Sequence, residues 1–166
     1  AAPHAPAWAA LAQTLPFEAI ITVLLRAPAG RLAQPMVALA DSPEAPAQYL
    51  FDLGQLRDPA REPGAPGCYA AVISGAKTWL NEHGLAAAGP AVVRQLQPLL
   101  GQAEVLRCLS EKRATLLCRP GLKRPGALVT DRLCAAGDYL EGPYPSTLEA
   151  AVRSGVAAVR ALASER

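Results

Sequence analysis

Apolar and polar residues along the chain fall into segments of two periods, and the segments predict the elements. FEAIITVLLR, residues 17–26, is dense in large and β-branched apolar residues and reads as a strand. PMVALAD (35–41) and QYLFDLG (48–54) read as two more, and Pro43 and Pro46 between them predict a hairpin. The prolines and glycines of 57–67 exclude regular structure and predict a surface loop, after which CYAAVISGA (68–76) resumes as a strand. KTWLNEHGL opens a helical stretch, and Gly89-Pro90 restarts it so that Val92, Leu96, Leu99 and Leu100 share one face, with Pro98 expected to shorten or kink the helix. Residues 104–118 read as one long strand or two, and RLCAAGD (132–138) as a last, buried strand. AWAALAQTL (7–15) reads as a short helix between prolines, and 146–164 as the final helix.

In that final helix Leu148, Val152, Gly155, Val156, Val159 and Leu162 form a single stripe, expected to be buried, while Glu149, Arg153 and Arg160 lie elsewhere. Gly155 in mid-helix costs about 1 kcal/mol relative to Ala, which suggests close approach by another element or plain tolerance. Ser146-Thr147-Leu148-Glu149 has the pattern of a capping box. The order of elements predicts an α/β fold: an α+β part with a mixed or antiparallel sheet, then a strand-loop-helix unit belonging to a parallel layer.

Composition narrows the function. With 166 residues, 51% of them hydrophobic, the chain can bury a core as one domain or as a piece of a larger one. Its net charge of +2, with Lys123-Arg124 as its most basic feature, lacks the footprint of a nucleic-acid binder. No apolar run approaches the roughly 20 residues of a membrane span, and AAPHAPAWAA has no signal-peptide character. Cys68, Cys108, Cys118 and Cys134 form no C-x-x-C pair and read as buried reduced thiols, so the cytoplasm is the expected compartment. His4 and His83 lack a partner pattern, and Glu111, Lys112 and Arg113 read as a solvated face. Trp8, Trp79, Phe17, Phe51 and Tyr49 read as core or interface, and no nucleophile–base arrangement emerges.

The chemistry-bearing candidate is the segment CAAGDYLEGPYPSTLEAAV, residues 134–152. A helix start carries free N–H groups and about half a positive charge, suited to an anion or to an atom that becomes negative during chemistry. Gly137 would let the backbone pass close to a ligand. Asp138, at the carboxyl end of a strand, could accept hydrogen bonds from sugar or ribityl hydroxyls. A plain turn is the competing reading of the same residues.

Taken whole, LCAAGDYLEGPYPSTLEAAVRSGVAAV resembles the C-terminal flavin-binding segment of the FAD-dependent amine oxidase and phytoene desaturase superfamily. The matching residues include Gly137, Asp138, Tyr144, Pro145, Ser146, Thr147, Leu148, Glu149, Val152, Ser154 and Gly155, with Ser146 and Ala150 where Ala and Gly are commoner. SEKRATLLCRPGLKRP (110–125) resembles the preceding strand and loop of squalene-associated desaturases, the hydroxysqualene dehydroxylases. The similarity weakens towards the N-terminus. It implies a substrate-binding part over 1–125 and the last strand and helix of a FAD-binding domain over 126–166. It further implies that Asp138 bonds the ribityl or phosphate part of FAD, and that the backbone at Ser146, Thr147 and Leu148 faces the pyrimidine edge of the isoalloxazine. Helix-dipole stabilisation of a reduced flavin there would be of order 1 kcal/mol.

A complete relative would begin with a G-x-G-x-x-G turn that cradles the pyrophosphate, and no such motif occurs in this sequence. The chain is therefore expected to be the C-terminal segment of a longer oxidoreductase, needing a Rossmann half from the same or a partner chain. Its expected substrate is an apolar isoprenoid of the hydroxysqualene or squalene type, with peripheral membrane contact left open. The alternatives are a carotenoid desaturase or flavin amine oxidase of the same superfamily, or a non-catalytic α/β interaction module from a split gene.

Overall fold

Residues Phe17–Arg26 form strand β1, whose alternate residues Ala19, Ile21, Val23 and Leu25 are buried. That alternation is what a strand with one face on a core requires. The computed structural model describes residues 3–56 and 67–163. Within them β1 is joined by β2 (Met36–Ala38), β3 (Tyr49–Asp52), β4 (Cys68–Ile73) and β5 (Glu104–Leu116) in one five-stranded sheet of order β2-β3-β4-β1-β5. The expected hairpin is present, with Met36 opposite Phe51 and Ala38 opposite Tyr49. β3–β4 and β1–β4 are also antiparallel, and Ile21 lies opposite Ile73. The result is a mixed α/β fold built on an antiparallel sheet.

The helices are α1 (Pro6–Gln13), the single turn α2 (Leu53–Leu56), α3 (Lys77–His83), α4 (Ala88–Leu100) and α5 (Leu148–Ala163). A 3₁₀ turn, Leu85–Ala87, leads into α4. The chain divides into two compact units. Unit 1 comprises Ala1–Phe17 and Thr115–Arg166, and unit 2 comprises Glu18–Ala114. The division inferred from sequence, at 125/126, is a different cut that falls inside unit 1.

In unit 2, Val92, Leu96 and Leu100 of α4 pack on Ile21, Val23, Leu25, Leu50, Ala71 and Ile73 of the sheet. Leu99, expected on the same face, is 45% exposed. Pro98 does not stop α4, which runs two residues further before Gly101 ends it at φ 69°. Side chains fix the joints. Glu18 Oε1 accepts from the backbone N–H of Lys77 at the start of α3. Gln95 on α4 accepts from the Ala47 amide and donates to the carbonyls of Ala40 and Ala47. Gly67, at φ 77°, accepts from Ala27 N–H at 2.7 Å, and a Cβ there would collide with the Pro28 backbone. The rest of the expected 57–67 loop lies outside the described residues.

Unit 1 is organised differently. Trp8 Nε1 of α1 donates to the Gly126 carbonyl at 2.8 Å, and Leu117 N–H donates to Pro16 O at 2.9 Å. The last strand expected over 132–138 is only β7, Leu133–Cys134, paired antiparallel with β6, Leu128–Thr130. Neither buried nor in a parallel layer, it has Leu133 exposed. A parallel strand needs a neighbour running alongside it. No described strand fills that place, so the short hairpin pairs with itself instead.

Candidate functional site

Residues 135–147 connect β7 to α5 and carry all but the last of the site residues expected from sequence. The connection is tied down at several points. Gly137 N–H donates to Ser154 Oγ on α5 at 2.8 Å, and that hydroxyl donates to Ala151 O. Glu141 N–H donates to Pro125 O at 2.9 Å. The Arg124 guanidinium donates to the carbonyls of both Leu140 and Gly142. Ser146 N–H donates to Asp138 O at 3.2 Å and so closes the loop on itself. A surface loop must satisfy its backbone groups with local partners, and here one arginine satisfies two carbonyls at once.

Tyr144 and Ser146 have positive φ, 58° and 61°, on either side of Pro145. For residues with a Cβ this conformation is uncommon and costs energy that the surroundings must supply. At Ser146 the supply is visible: its hydroxyl donates to Leu116 O at 3.0 Å and lies 3.6 Å from Cys118 Sγ. At Tyr144 the carbonyl accepts from Thr147 Oγ1 at 2.6 Å, and the Arg153 guanidinium lies 5.4 Å from the ring centre.

These twists move the helix start. The capping box expected from Ser146 and Glu149 does not form, because Ser146 is turned to positive φ and its hydroxyl is directed to Leu116. Thr147 is the cap instead, accepting from Ala150 N–H at 3.1 Å. Glu149 pairs one turn along with Arg153, Nε to Oε1 at 2.5 Å. The amides of Leu148 and Glu149 have no acceptor among the described residues, so the first turn of α5 presents free N–H groups beside the loop.

Within the chain, Gly137 makes room for a neighbouring side chain. A Cβ at 137 would run into the Tyr139 ring, so the close neighbour is a side chain of the loop itself. Asp138 is half-buried, and its carboxylate takes no hydrogen bond from the described residues. A cavity of about 160 Å³ lies between this loop and α5, lined in part by Gly137, Leu140, Pro143, Ala150 and Ser154. Sites for drug-sized molecules run from roughly 300 Å³ upward. The cavity is therefore too small for a dinucleotide, and Asp138, Thr147 and Leu148 lie outside its lining.

The helix behind the loop departs most from expectation. Leu148 is 87% exposed, and Val152, Val156, Val159 and Leu162 are exposed too; only Ala150 and Ala158 of α5 are buried. The apolar stripe is real but faces outward, and Gly155, where another element was expected to approach, meets open space. Of the two residues that hold the loop, Ser154 belongs to the resembling motif, but its bond to Gly137 was not foreseen, and Arg124 had no assigned role. Arg124 stood out only as a basic residue, and nothing in its neighbours signals a bond to carbonyls sixteen and eighteen positions away.

Elsewhere, the four cysteines are free but not fully buried as expected: Cys118 is exposed and the others half-buried. No group of His, Cys, Asp and Glu among the described residues could hold a metal, and no described helix is long and apolar enough to cross a membrane. In unit 2 a groove of about 630 Å³ is lined in part by Arg26, Val93, Arg94, Gln97 and Glu104, with Arg26 and Glu104 paired at 2.7 Å. No family model matches the chain, and no curated protein matches it.

Proposed function

We propose that this chain supplies the C-terminal part of an FAD-dependent oxidoreductase, with the 135–148 segment facing the flavin. The observation that carries the reading is the pairing of two features on one short segment. A loop held by Arg124 and Ser154 delivers the free amides of Leu148 and Glu149 and the unengaged Asp138 carboxylate. The helix it leads into exposes an apolar stripe of the kind that another protein layer covers. The residues fit the pyrimidine edge and ribityl chain of an isoalloxazine nucleotide. The adenine half would rest on a Rossmann half supplied elsewhere, because this sequence has no G-x-G-x-x-G turn.

When bound, the flavin would supply hydride chemistry; the chain's own residues would orient it and stabilise negative charge at its pyrimidine edge. The substrate class, an apolar isoprenoid of the hydroxysqualene or squalene type, rests on sequence resemblance alone. A carotenoid desaturase or amine oxidase would present the same segment. The exposed α5 stripe also suits a non-catalytic interaction module.

The test is flavin fluorescence during titration of FAD with this chain, with and without a chain supplying a Rossmann half. Quenching only in the mixture, weakened at least tenfold by Asp138→Ala, supports the proposal. Association of the two chains without any FAD binding would favour the interaction module.

A further inference from the structure

Strand β5 closes one side of the unit 2 sheet, with β1 as its only strand neighbour among the described residues. At 13 residues it is the longest strand described, and long exposed edges are templates for pairing with another chain. Natural edges are commonly blunted by prolines, brevity or charge; β5 has no proline and is long, and its charged residues include Arg107 and Glu111, whose signs are opposite.

Its side chains carry a self-complementary pattern. Over 107–111 exposure alternates: Arg107, Leu109 and Glu111 face solvent, while Cys108 and Ser110 are half-buried. Upstream, Val105 and Cys108 both lie near Gly89 of α4, so the alternation slips between them and is regular over 107–111. When a strand pairs antiparallel with a copy of itself about a two-fold axis, the numbers of facing residues have a constant sum. An axis at Leu109 places Arg107 opposite Glu111 of the second copy, Leu109 opposite Leu109, and Glu111 opposite Arg107. Shifting the axis to Ser110 would set Arg107 against Arg113, and an axis at Arg107 or Glu111 would set like charges against each other. The axis at Leu109 thus brings two opposite-charge pairs and one apolar pair together on the solvent face. Facing pairs of these kinds stabilise a ladder, whereas like charges destabilise it. On the other face Ser110 falls opposite Cys108 of the second copy; its hydroxyl is buried and has no hydrogen-bond partner among the described residues. Glu111 is already held along the strand, its Oε1 accepting from Arg113 N–H at 2.9 Å.

We infer that β5 is a homodimer interface, pairing antiparallel with β5 of a second copy about a two-fold axis at Leu109. This joins the two sheets into one of ten strands. The inference does not depend on the flavin reading, because it concerns unit 2 alone.

Charge reversal tests it by sedimentation of the 166-residue chain. Arg107→Glu alone and Glu111→Arg alone each set like charges opposite each other twice, and each should raise the dimer dissociation constant about tenfold to a hundredfold. The double variant R107E/E111R restores both pairs and should restore the dimer. A mixture of the two single variants should form a heterodimer, with opposite charges at both positions. Leu109→Cys, facing itself across the axis, should give a disulfide-linked dimer whose linkage maps to position 109. A monomeric wild-type chain would overturn the inference. So would a dimer indifferent to both reversals, or one dissolved by Val152→Glu on α5.

Discussion

On α4, Val92, Leu96 and Leu100 recur at four-residue spacing and are sealed against the sheet. On α5, Leu148, Val152 and Val156 recur at the same spacing and face outward. The two helices have equally clear apolar periods, so period alone does not decide burial. The difference lies in the opposing surface. Unit 2 offers α4 a sheet whose alternate residues, Ile21, Val23, Leu25 and Ile73, present a continuous apolar face. Among the described residues, unit 1 offers α5 a two-strand hairpin and a proline-rich loop, and its buried apolar residues are few and half of them alanines: Ala9, Leu15, Leu116, Leu140, Ala150 and Ala158. An amphipathic stripe states a requirement for a partner surface; the rest of the fold determines whether that requirement is met within the chain.

The sharpest way to break this comparison is to truncate both stripes. Leu96→Ala should destabilise unit 2 by about 2–5 kcal/mol, through lost burial and the cavity left behind. Val152→Ser should change stability by no more than about 0.5 kcal/mol, because that side chain is already 64% exposed. Urea unfolding measures both, and comparable losses would mean that α5 is buried in solution. The same core sets an alkaline limit. Tyr69 is 1% exposed, and burial, then the nearby Asp52 carboxylate, raise its phenol pKa above the ordinary 10.0, with Arg31 opposing. The neutral phenol is favoured in the fold, so its contribution is fully present below pH 10 and is lost as the pH rises through the folded value. Chemical unfolding across that range should show stability falling above about pH 10, and the fall should be smaller in Tyr69→Phe.

Unit 1 depends instead on a few polar ties. Arg124→Ala removes the donors to Leu140 and Gly142, leaving two carbonyls to find water; the expected local cost is about 1–3 kcal/mol. Hydrogen exchange at Glu141 and Ser146 should speed up, while α4 amides should be unaffected. Thr147→Ala removes the observed cap and should cost about 1 kcal/mol, read as fraying of the first turn of α5 by hydrogen exchange.

How much of this was legible in the sequence follows the same division. β1, the β2–β3 hairpin, β4, α3 and α4 were readable because strand and helix periods coincided with a core that the chain builds itself. β5 was readable as a segment, though its continuity was not: Thr115 and Leu116 prolong a strand that could equally have broken at Arg113-Ala114. In unit 1 local signals competed with geometry. Ser146 satisfies the capping pattern on paper, but a residue twisted to positive φ after Pro145 presents its hydroxyl elsewhere, and Thr147 takes over. The strand expected at 132–138 had the right apolar residues but found only β6 to pair with. Gly137, Asp138, Tyr144, Pro145, Ser146, Thr147 and Leu148 were legible as one contiguous segment, which is why the structure brings them together. Ser154 lies in the same resembling motif, but its bond to Gly137 seventeen residues back was not legible, and Arg124 acts across 16 and 18 residues from outside it.

A small stabilising change probes the comparison most finely. Gly155 sits inside α5, and a Cβ built there meets nothing within 4 Å. Replacing glycine by alanine in an open helix interior removes backbone entropy from the unfolded chain at no steric cost, so Gly155→Ala should stabilise α5 by up to about 1 kcal/mol. Val152 and Val159 flank this position on the exposed stripe, one turn either side. If another protein layer lies against the stripe, Gly155 is where its backbone could come nearest, and the added methyl would then weaken association while still stabilising the isolated chain. Helix stability by hydrogen exchange and affinity for a Rossmann half, measured on the same variant, should move in opposite directions. If both improve together, the stripe is covered without close approach at Gly155. If the isolated chain is destabilised, α5 is already packed in solution and its resemblance to α4 is closer than its exposed face implies.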